Sequence, residues 1–250
     1  MIHLKAPEEI EIMDRANRIV HAVLDRLGEE LAPGVVLRDL DRLAESLTLQ
    51  MGGKPAFKGY GGFPASVCIS VNDEVVHGIP GPRVIQPGDL VSLDFGVIVD
   101  GYYGDAARTF PVGDVDPEGV RLLTVTRTSL EKGVEQVRVG SRVSDVSHAV
   151  QEYAESHGYS VVRDYVGHGI GRALHEEPQV PNFGEPGRGP RLQVGMVLAI
   201  EPMINEGGHG VTVDEDGWTV RTADGKRSAH FEYSVAVTAN GPRILGIEGA

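Results

Sequence analysis

The sequence predicts an α+β fold: two halves related by a pseudo-twofold axis, with helices covering one face of a curved antiparallel sheet. Three observations carry this. The segment LAPGVVLRDLDRLAESLTLQMGG (31–53) is similar to VRVGSRVSDVSHAVQEYAESHGY (137–159), with Gly34, Asp39 and Gly52 aligning on Gly140, Asp145 and Gly158 at one offset of 106. PGDLVSLDF (87–95) parallels VGMVLAIEP (194–202), where Gly88 matches Gly195 and Asp94 matches Glu201 at an offset of 107. Amphipathic helical segments and short β-rich runs fill the chain with no long linker or low-complexity stretch between them. The period is far too long for a solenoid repeat and points to duplication of a whole half. The expectation is a single domain over residues 1–250, with halves of about 1–111 and 112–250.

The elements follow in order. Residues 7–27 open with Pro7-Glu8-Glu9, a proline and acids in a first helical turn, and place Ile10, Met13, Ile19, Val23 and Leu27 at helical spacing. The first repeated segment is a glycine turn, an amphipathic helix and a glycine stop. Strands are predicted at 66–71, 90–98 and 102–110, the last two joined by Asp100-Gly101, a strong hairpin signal between apolar runs. Residues 118–136 form the counterpart of the first helix, and the second repeated segment follows. Further strands are predicted at 161–166, 196–201, 211–214, 218–222 and 230–238. In DYVGHGIGRALHEEP (164–178), alternating glycines disfavour a helix. A strand end running into a glycine-permitted bend presents His168 and His175 from different backbone segments.

Hydrophobic content of 41% and charged content of 24% are those of an ordinary globular protein. The single cysteine, Cys68, excludes an intrachain disulfide and fits a reducing compartment. The N-terminal stretch has no apolar h-region, and no apolar run approaches the roughly 20 residues of a membrane span. Cytoplasm is therefore expected, with no membrane partner. A net charge of −13 lacks the basic footprint of a DNA-binding protein.

Some acids sit where a solvated surface cannot explain them. Asp94 follows an apolar strand and Asp105 lies in the next one, so the hairpin could bring them side by side. Glu201 follows MVLAI, and Glu232 lies between Phe231 and Tyr233. Any one of them could cap a turn or form a salt bridge. All four cannot stay ionised in apolar strands unpaired, because desolvation and mutual repulsion oppose it. Basic partners are scarce, with Arg108 the clearest candidate and Arg221 and Lys226 in an expected turn. Divalent metal answers the problem better. Four carboxylates with the Gly-flanked His168 form a hard, oxygen-rich donor set suited to Mn, Fe(II), Co or Zn. Dinuclear sites of this kind activate water and polarise a carbonyl, so acyl-bond hydrolysis is expected. Other chemistries lack their signatures: there is no G-x-S-x-G elbow, no phosphate-binding loop, and Cys68 sits in an apolar setting that disfavours a thiolate.

Five segments together, SVCISVNDEVVHGIP (66–80), VSLDFGVIVDGYYGDAARTF (91–110), YVGHGIGRALHEEPQVPN (165–182), GMVLAIEPMIN (195–205) and FEYSVAVT (231–238), resemble the type I methionine aminopeptidases, whose fold is the pita-bread fold. The resemblance runs in order from Pro7 to about Leu245. It implies two divalent ions, Fe(II), Mn(II), Co(II) or Zn(II), on Asp94, Asp105, His168, Glu201 and Glu232, with Asp105 and Glu232 bridging. It implies attack of a metal-bridging hydroxide on the first peptide carbonyl, with Glu201 shuttling the proton. His175 would bond the substrate carbonyl and His77 would steady the departing amide, while the second metal takes the free α-amine. The methionine pocket falls on Phe57, Tyr60, Phe63, Cys68, Leu174 and Trp218. Leu174 and Tyr233 stand where some relatives carry an aromatic residue and a histidine. The family's partners are nascent N-termini with a small second residue and, transiently, the ribosome; a monomer is expected.

Two rival readings stay open. An Xaa-Pro peptidase shares the fold but usually carries an N-terminal domain for which 250 residues leave no room. An inactive binding protein of the same fold typically loses metal ligands, whereas all five positions here hold competent side chains. A metal-storage domain would leave His77 and His175 unexplained.

Overall fold

The computed structural model describes residues 1–248. Helix α1 (Pro7–Glu30) starts at a proline, and the Glu9 carboxylate accepts the Ala6 N–H at 2.8 Å, satisfying one of the donors left free at a helix start. It is followed by α2 (Leu37–Gln50), β1 (Lys54–Pro55), β2 (Cys68–Val71), β3 (Glu74–Val76), β4 (Leu90–Val99) and β5 (Tyr102–Pro111). The β4–β5 turn is the expected one: Asp100 and Gly101 both take positive φ, 49° and 80°. The second half contains α3 (Pro117–Glu135), α4 (Val143–Ser156), β6 (Ser160–Val161), β7 (Gly167–Gly169), β8 (Glu176–Val180), β9 (Val197–Ile200) and β10 (Met203–Asn205). It closes with β11 (Val211–Val213), β12 (Val220–Thr222), β13 (Ser228–His230), β14 (Glu232–Thr238) and β15 (Gly241–Ile244).

The repeat read from the sequence is a repeat in space. Helices α2 and α4 both have 14 residues and begin 106 positions apart. Gly34 and Gly140 take φ of 96° and 90°, and Gly88 and Gly195 take 90° and 92°, so the paired glycines make the same left-handed turns.

Nine strands form one antiparallel sheet in the order β1-β4-β5-β14-β9-β7-β8, with β2 also pairing β4 and β15 also pairing β14. The halves join at β5–β14, where only Glu232↔Ala107 and Tyr233↔Ala106 are in register. Thr109 reinforces this short seam: its hydroxyl donates to His230 O and accepts the His230 N–H, both at 2.9 Å. Two smaller sheets, β13-β10-β6 and β11-β12-β3, flank the large one.

Strand alternation separates the two faces of the large sheet. Val91, Leu93, Phe95 and Val97 of β4 pack with Val20, Leu24 and Leu27 of α1 and Leu40 of α2. Leu198 and Ile200 of β9 and Val235 and Val237 of β14 pack with Leu130 and Val134 of α3 and Val146 of α4. Each such fully buried side chain stabilises the fold by about 1.5–3 kcal/mol. Residues between them, at 92, 94, 199, 201, 232 and 234, face the other way.

Three expected strands differ in detail. The run 161–166 ends as a strand at Val161: the Val162 N–H still bonds Met203 O at 3.0 Å, but the next position on the partner is Pro202, which has no N–H to continue the ladder. The run 218–222 pairs only from Val220. The run 230–238 is divided at Phe231, where the chain leaves the β10 ladder for the large sheet. Among the described residues no helix is long and apolar enough to cross a membrane.

Candidate metal centre

Register alone puts five donors on one face. Residues directly opposite on antiparallel strands project to the same side, as do residues two apart on a strand. Asp94 lies opposite Ala107, and Glu232 lies opposite the same Ala107 from the other flank. Asp105 is two residues before Ala107 and opposite Gly96, so it is a diagonal neighbour of Asp94 rather than its direct partner. His168 lies opposite Ala199, which lies opposite Ser234, two residues after Glu232. Glu201 stands two residues beyond Ala199. Ligand atoms of Asp105, His168 and Glu232 come within 4.8 Å of one another. Asp94 and Glu201 face the same cleft, with Glu201 Oε1 3.4 Å from His168 Nε2.

The backbone under this set is held from both sides. Asn17 of α1 accepts the Asp105 N–H at 3.3 Å, and the Ser234 hydroxyl donates to Asp105 O at 2.9 Å. His168 sits between glycines because its strand runs close to both neighbours. A Cβ on Gly167 would meet Ala199 O at 2.3 Å, and one on Gly169 would meet Glu177 O at 2.3 Å. The His168 Nδ1–H donates to Gly169 O at 2.9 Å, which leaves the Nε2 lone pair facing the cleft.

The electrostatics fit a cation. Asp94 Oδ1, Asp105 Oδ1 and Glu232 Oε1 are buried with no hydrogen-bond partner. Among the described residues no Lys or Arg pairs with any of the four acids; Glu201 approaches only His168 and His230. Arg108 projects to the helical face, onto Asp25 and His21, and Arg221 lies in β12 rather than in a turn, paired with Asp73, Glu74 and Asp214. Burial therefore pushes Asp94 up to about 7. Asp105, Glu201 and Glu232 stand well above the usual carboxylate range, through burial first and then the charge of neighbouring acids, Asp94 acting on all three. Burial also holds the His168 imidazole down to about 4, so it is a neutral donor. Hard oxygen donors left short of positive charge beside one imidazole lone pair are what a divalent ion requires.

Around this floor lies a cleft of about 220 Å³. His77, His175 and the apolar set Phe57, Tyr60, Phe63, Cys68, Leu174 and Trp218 all line it. His77 takes a left-handed φ of 60°, a conformation that costs a non-glycine residue about 1–3 kcal/mol and that the flanking structure must impose. Its ring meets Tyr165 edge-on at 5.4 Å, and burial holds it down to about 4. His175 lies in the bend 171–175 that follows β7, exposed at the mouth, with its ring 4.3 Å from that of His168. The Tyr60 hydroxyl bonds His175 Nδ1 at 2.7 Å. Phe63 and Trp218 meet edge-to-face at 5.2 Å. Burial first, then the charge of Asp94, raises the Cys68 thiol, so it lines the wall as a small apolar group.

Two cleft neighbours went unnoticed in the sequence. Tyr165 falls inside the run expected as a strand at 161–166 but lies in a bend, from which its ring reaches His77. His230 is 1% exposed, has no partner on either ring nitrogen, and lies 3.9 Å from Glu201 Oε2. Its place two residues before Glu232 was the available signal.

Known proteins share this architecture. A Clostridium perfringens protein named methionine aminopeptidase is 53% identical over 245 residues, 98% of each chain. The crystal structure of methionine aminopeptidase from Thermotoga maritima superposes with a TM-score of 0.98 at 49% identity, covering 99% of this chain and 100% of that one. The prolidase from Pyrococcus furiosus superposes at 0.79 with 25% identity, covering 99% of this chain but 66% of that one. The fold is the pita-bread fold that the sequence led us to expect. Residues 11–239 match metallopeptidase family M24, and with relatives this similar over nearly its whole length, the chain belongs to that family.

Proposed function

We propose that this chain is a metal-dependent methionine aminopeptidase, a single domain over residues 1–250 that removes the initiator methionine from nascent proteins and peptides. Gly249 and Ala250 lie outside the described residues. The observation that carries the reading is a set of carboxylates without basic partners, joined by a neutral imidazole, on the floor of an apolar cleft. Asp94, Asp105, His168, Glu201 and Glu232 would hold two divalent ions, Fe(II), Mn(II), Co(II) or Zn(II). When bound, such ions supply an acidified water nucleophile and Lewis-acid polarisation of the scissile carbonyl.

The chain's own side chains do the rest. Glu201 takes the proton of the attacking water and passes it to the departing amide nitrogen as the C–N bond breaks. With Tyr60 donating to His175 Nδ1, the remaining imidazole proton lies on Nε2. From there it bonds the carbonyl oxygen more strongly as negative charge develops. His77, fixed by its backbone, steadies the leaving amide. Phe57, Tyr60, Phe63, Cys68, Leu174 and Trp218 enclose an unbranched thioether, whose sulfur–aromatic contacts contribute about 0.3–1.5 kcal/mol each. The same reading gives nascent chains with a small second residue as substrates, a cytoplasmic monomer, and transient ribosome contact.

The test is a comparison of Met-Ala-Ser and Ala-Pro-Ser with metal-stripped protein refilled in turn with Fe(II), Mn(II) and Co(II). Metal-dependent release of methionine alone is expected. Release from Ala-Pro-Ser instead would assign a proline-directed peptidase, a reading that the likeness to the Pyrococcus furiosus prolidase keeps in view. No release with metal bound would assign an inactive binding protein.

A further inference from the structure

The bend 171–175 carries Leu174 into the cleft and His175 to its mouth, and its shape is set from outside the cleft. One oxygen of Glu176 accepts the backbone N–H of Arg172 at 2.8 Å and of Ala173 at 3.2 Å. The other receives the Lys5 ammonium at 2.6 Å. Lys5 also donates to His3 O at 3.1 Å, and its backbone N–H bonds Gly195 O at 2.7 Å. The socket is built around this lysine. A Cβ on Gly171 would meet Lys5 Cε at 2.4 Å, and one on Gly195 would meet Lys5 O at 2.7 Å. Both charges are withdrawn from solvent, with side-chain exposures of 6% for Lys5 and 10% for Glu176. A buried ion pair contributes little net stability, and its better-attested use is to specify one arrangement over others. Here the arrangement specified is the backbone that immediately precedes Glu176, which includes His175.

We infer that Lys5 is a positioning residue for His175, acting through the Glu176 carboxylate; the inference rests on the aminopeptidase reading above. Tyr60 holds the imidazole ring, and the Lys5–Glu176 pair holds the backbone that carries it. Without the ammonium, Glu176 is left with a buried charge, turns toward solvent or the neighbouring Arg172, and releases the amides of the bend. Because the His175 donor acts on charge that develops in the transition state, the loss falls on kcat rather than on KM.

The test uses Lys5→Met, which keeps the aliphatic stem and removes the charge, alone and combined with His175→Ala. The expected result is a kcat about tenfold lower with KM changed less than about twofold. In the His175→Ala background the same change costs nothing further, because the residue it acts through is gone. Amide exchange of the metal-free protein supplies an independent readout. The Arg172 and Ala173 amides should exchange at least about tenfold faster in Lys5→Met, while those of β4 and β5 are unchanged. Equal losses in both backgrounds, or unchanged exchange at 172 and 173, would overturn the inference. If the wild-type protein releases no methionine, the activity reading fails, and the exchange experiment still decides whether Lys5 sets the bend.

Discussion

Removing metal should change how this protein's stability responds to rising pH. In the metal-free native state Asp94 is pushed up to about 7, and Asp105, Glu201 and Glu232 stand well above the usual carboxylate range. In the unfolded chain all four titrate near about 4. Native protein therefore keeps protons that the unfolded chain has released, and stability present at low pH is lost as pH rises through the folded values. Buried histidines act in the opposite direction at lower pH. His21, His77 and His168 are held down to about 4 and His230 to about 3. Their contribution grows as pH rises to about 6.5 and is constant above it. The clean window is thus about pH 6.5 to 8. Each carboxylate still protonated in the native state there costs about 1.4 kcal/mol per pH unit. A domain of this size shifts in Tm by about 2–4 °C per kcal/mol, so a single such group lowers Tm by about 3 °C or more per unit. With Mn(II) bound the acids stay ionised and binding tightens as protons leave, so Tm should hold or rise. Calorimetry of both forms across the window provides the measurement, and taking the difference between them cancels titration elsewhere. Metal-free and loaded curves that run parallel would refute the reasoning.

Other outcomes follow from the same geometry. His175→Ala should lower kcat by about 10²–10³-fold while metal content, read by elemental analysis, and Tm stay unchanged, because the ring donates to the transition state and holds no ion. A peptide with norleucine in place of methionine should bind about 2–10-fold more weakly in steady-state assays, the share of the sulfur–aromatic contacts at Phe63 and Trp218. Gly169→Ala should cost about 1–3 kcal/mol in denaturant unfolding. The added methyl meets Glu177 O at 2.3 Å and forces the His168 strand away from β8, so metal retention on dialysis should fall as well.

Local signals were legible in the sequence. The glycine stops, the matched helices 106 residues apart and the Asp100-Gly101 hairpin rest on periodicity and turn chemistry, and each is where those signals put it. Acids within apolar strands were visible for the same reason, since a strand that buries both faces has no ordinary place for a charge. What depends on pairing partners was not legible. The strand expected at 161–166 stops at Val161 because Pro202 closes its partner one step further on, and 230–238 divides at Phe231 because the chain changes sheets there. Arg108 looked like a partner for the acids, yet one step of alternation from Ala107 sends it to the helical face. Tyr165 and the Lys5 socket join elements far apart in the chain, so no local pattern announces them, and His230 had only its place two residues before Glu232.

The most direct test of the central claim is anomalous diffraction, at the manganese edge, from crystals of Mn(II)-loaded protein. The account predicts two peaks among Asp94, Asp105, His168, Glu201 and Glu232, both lost in Asp105→Asn. Peaks elsewhere, or none in protein that releases methionine, would contradict it.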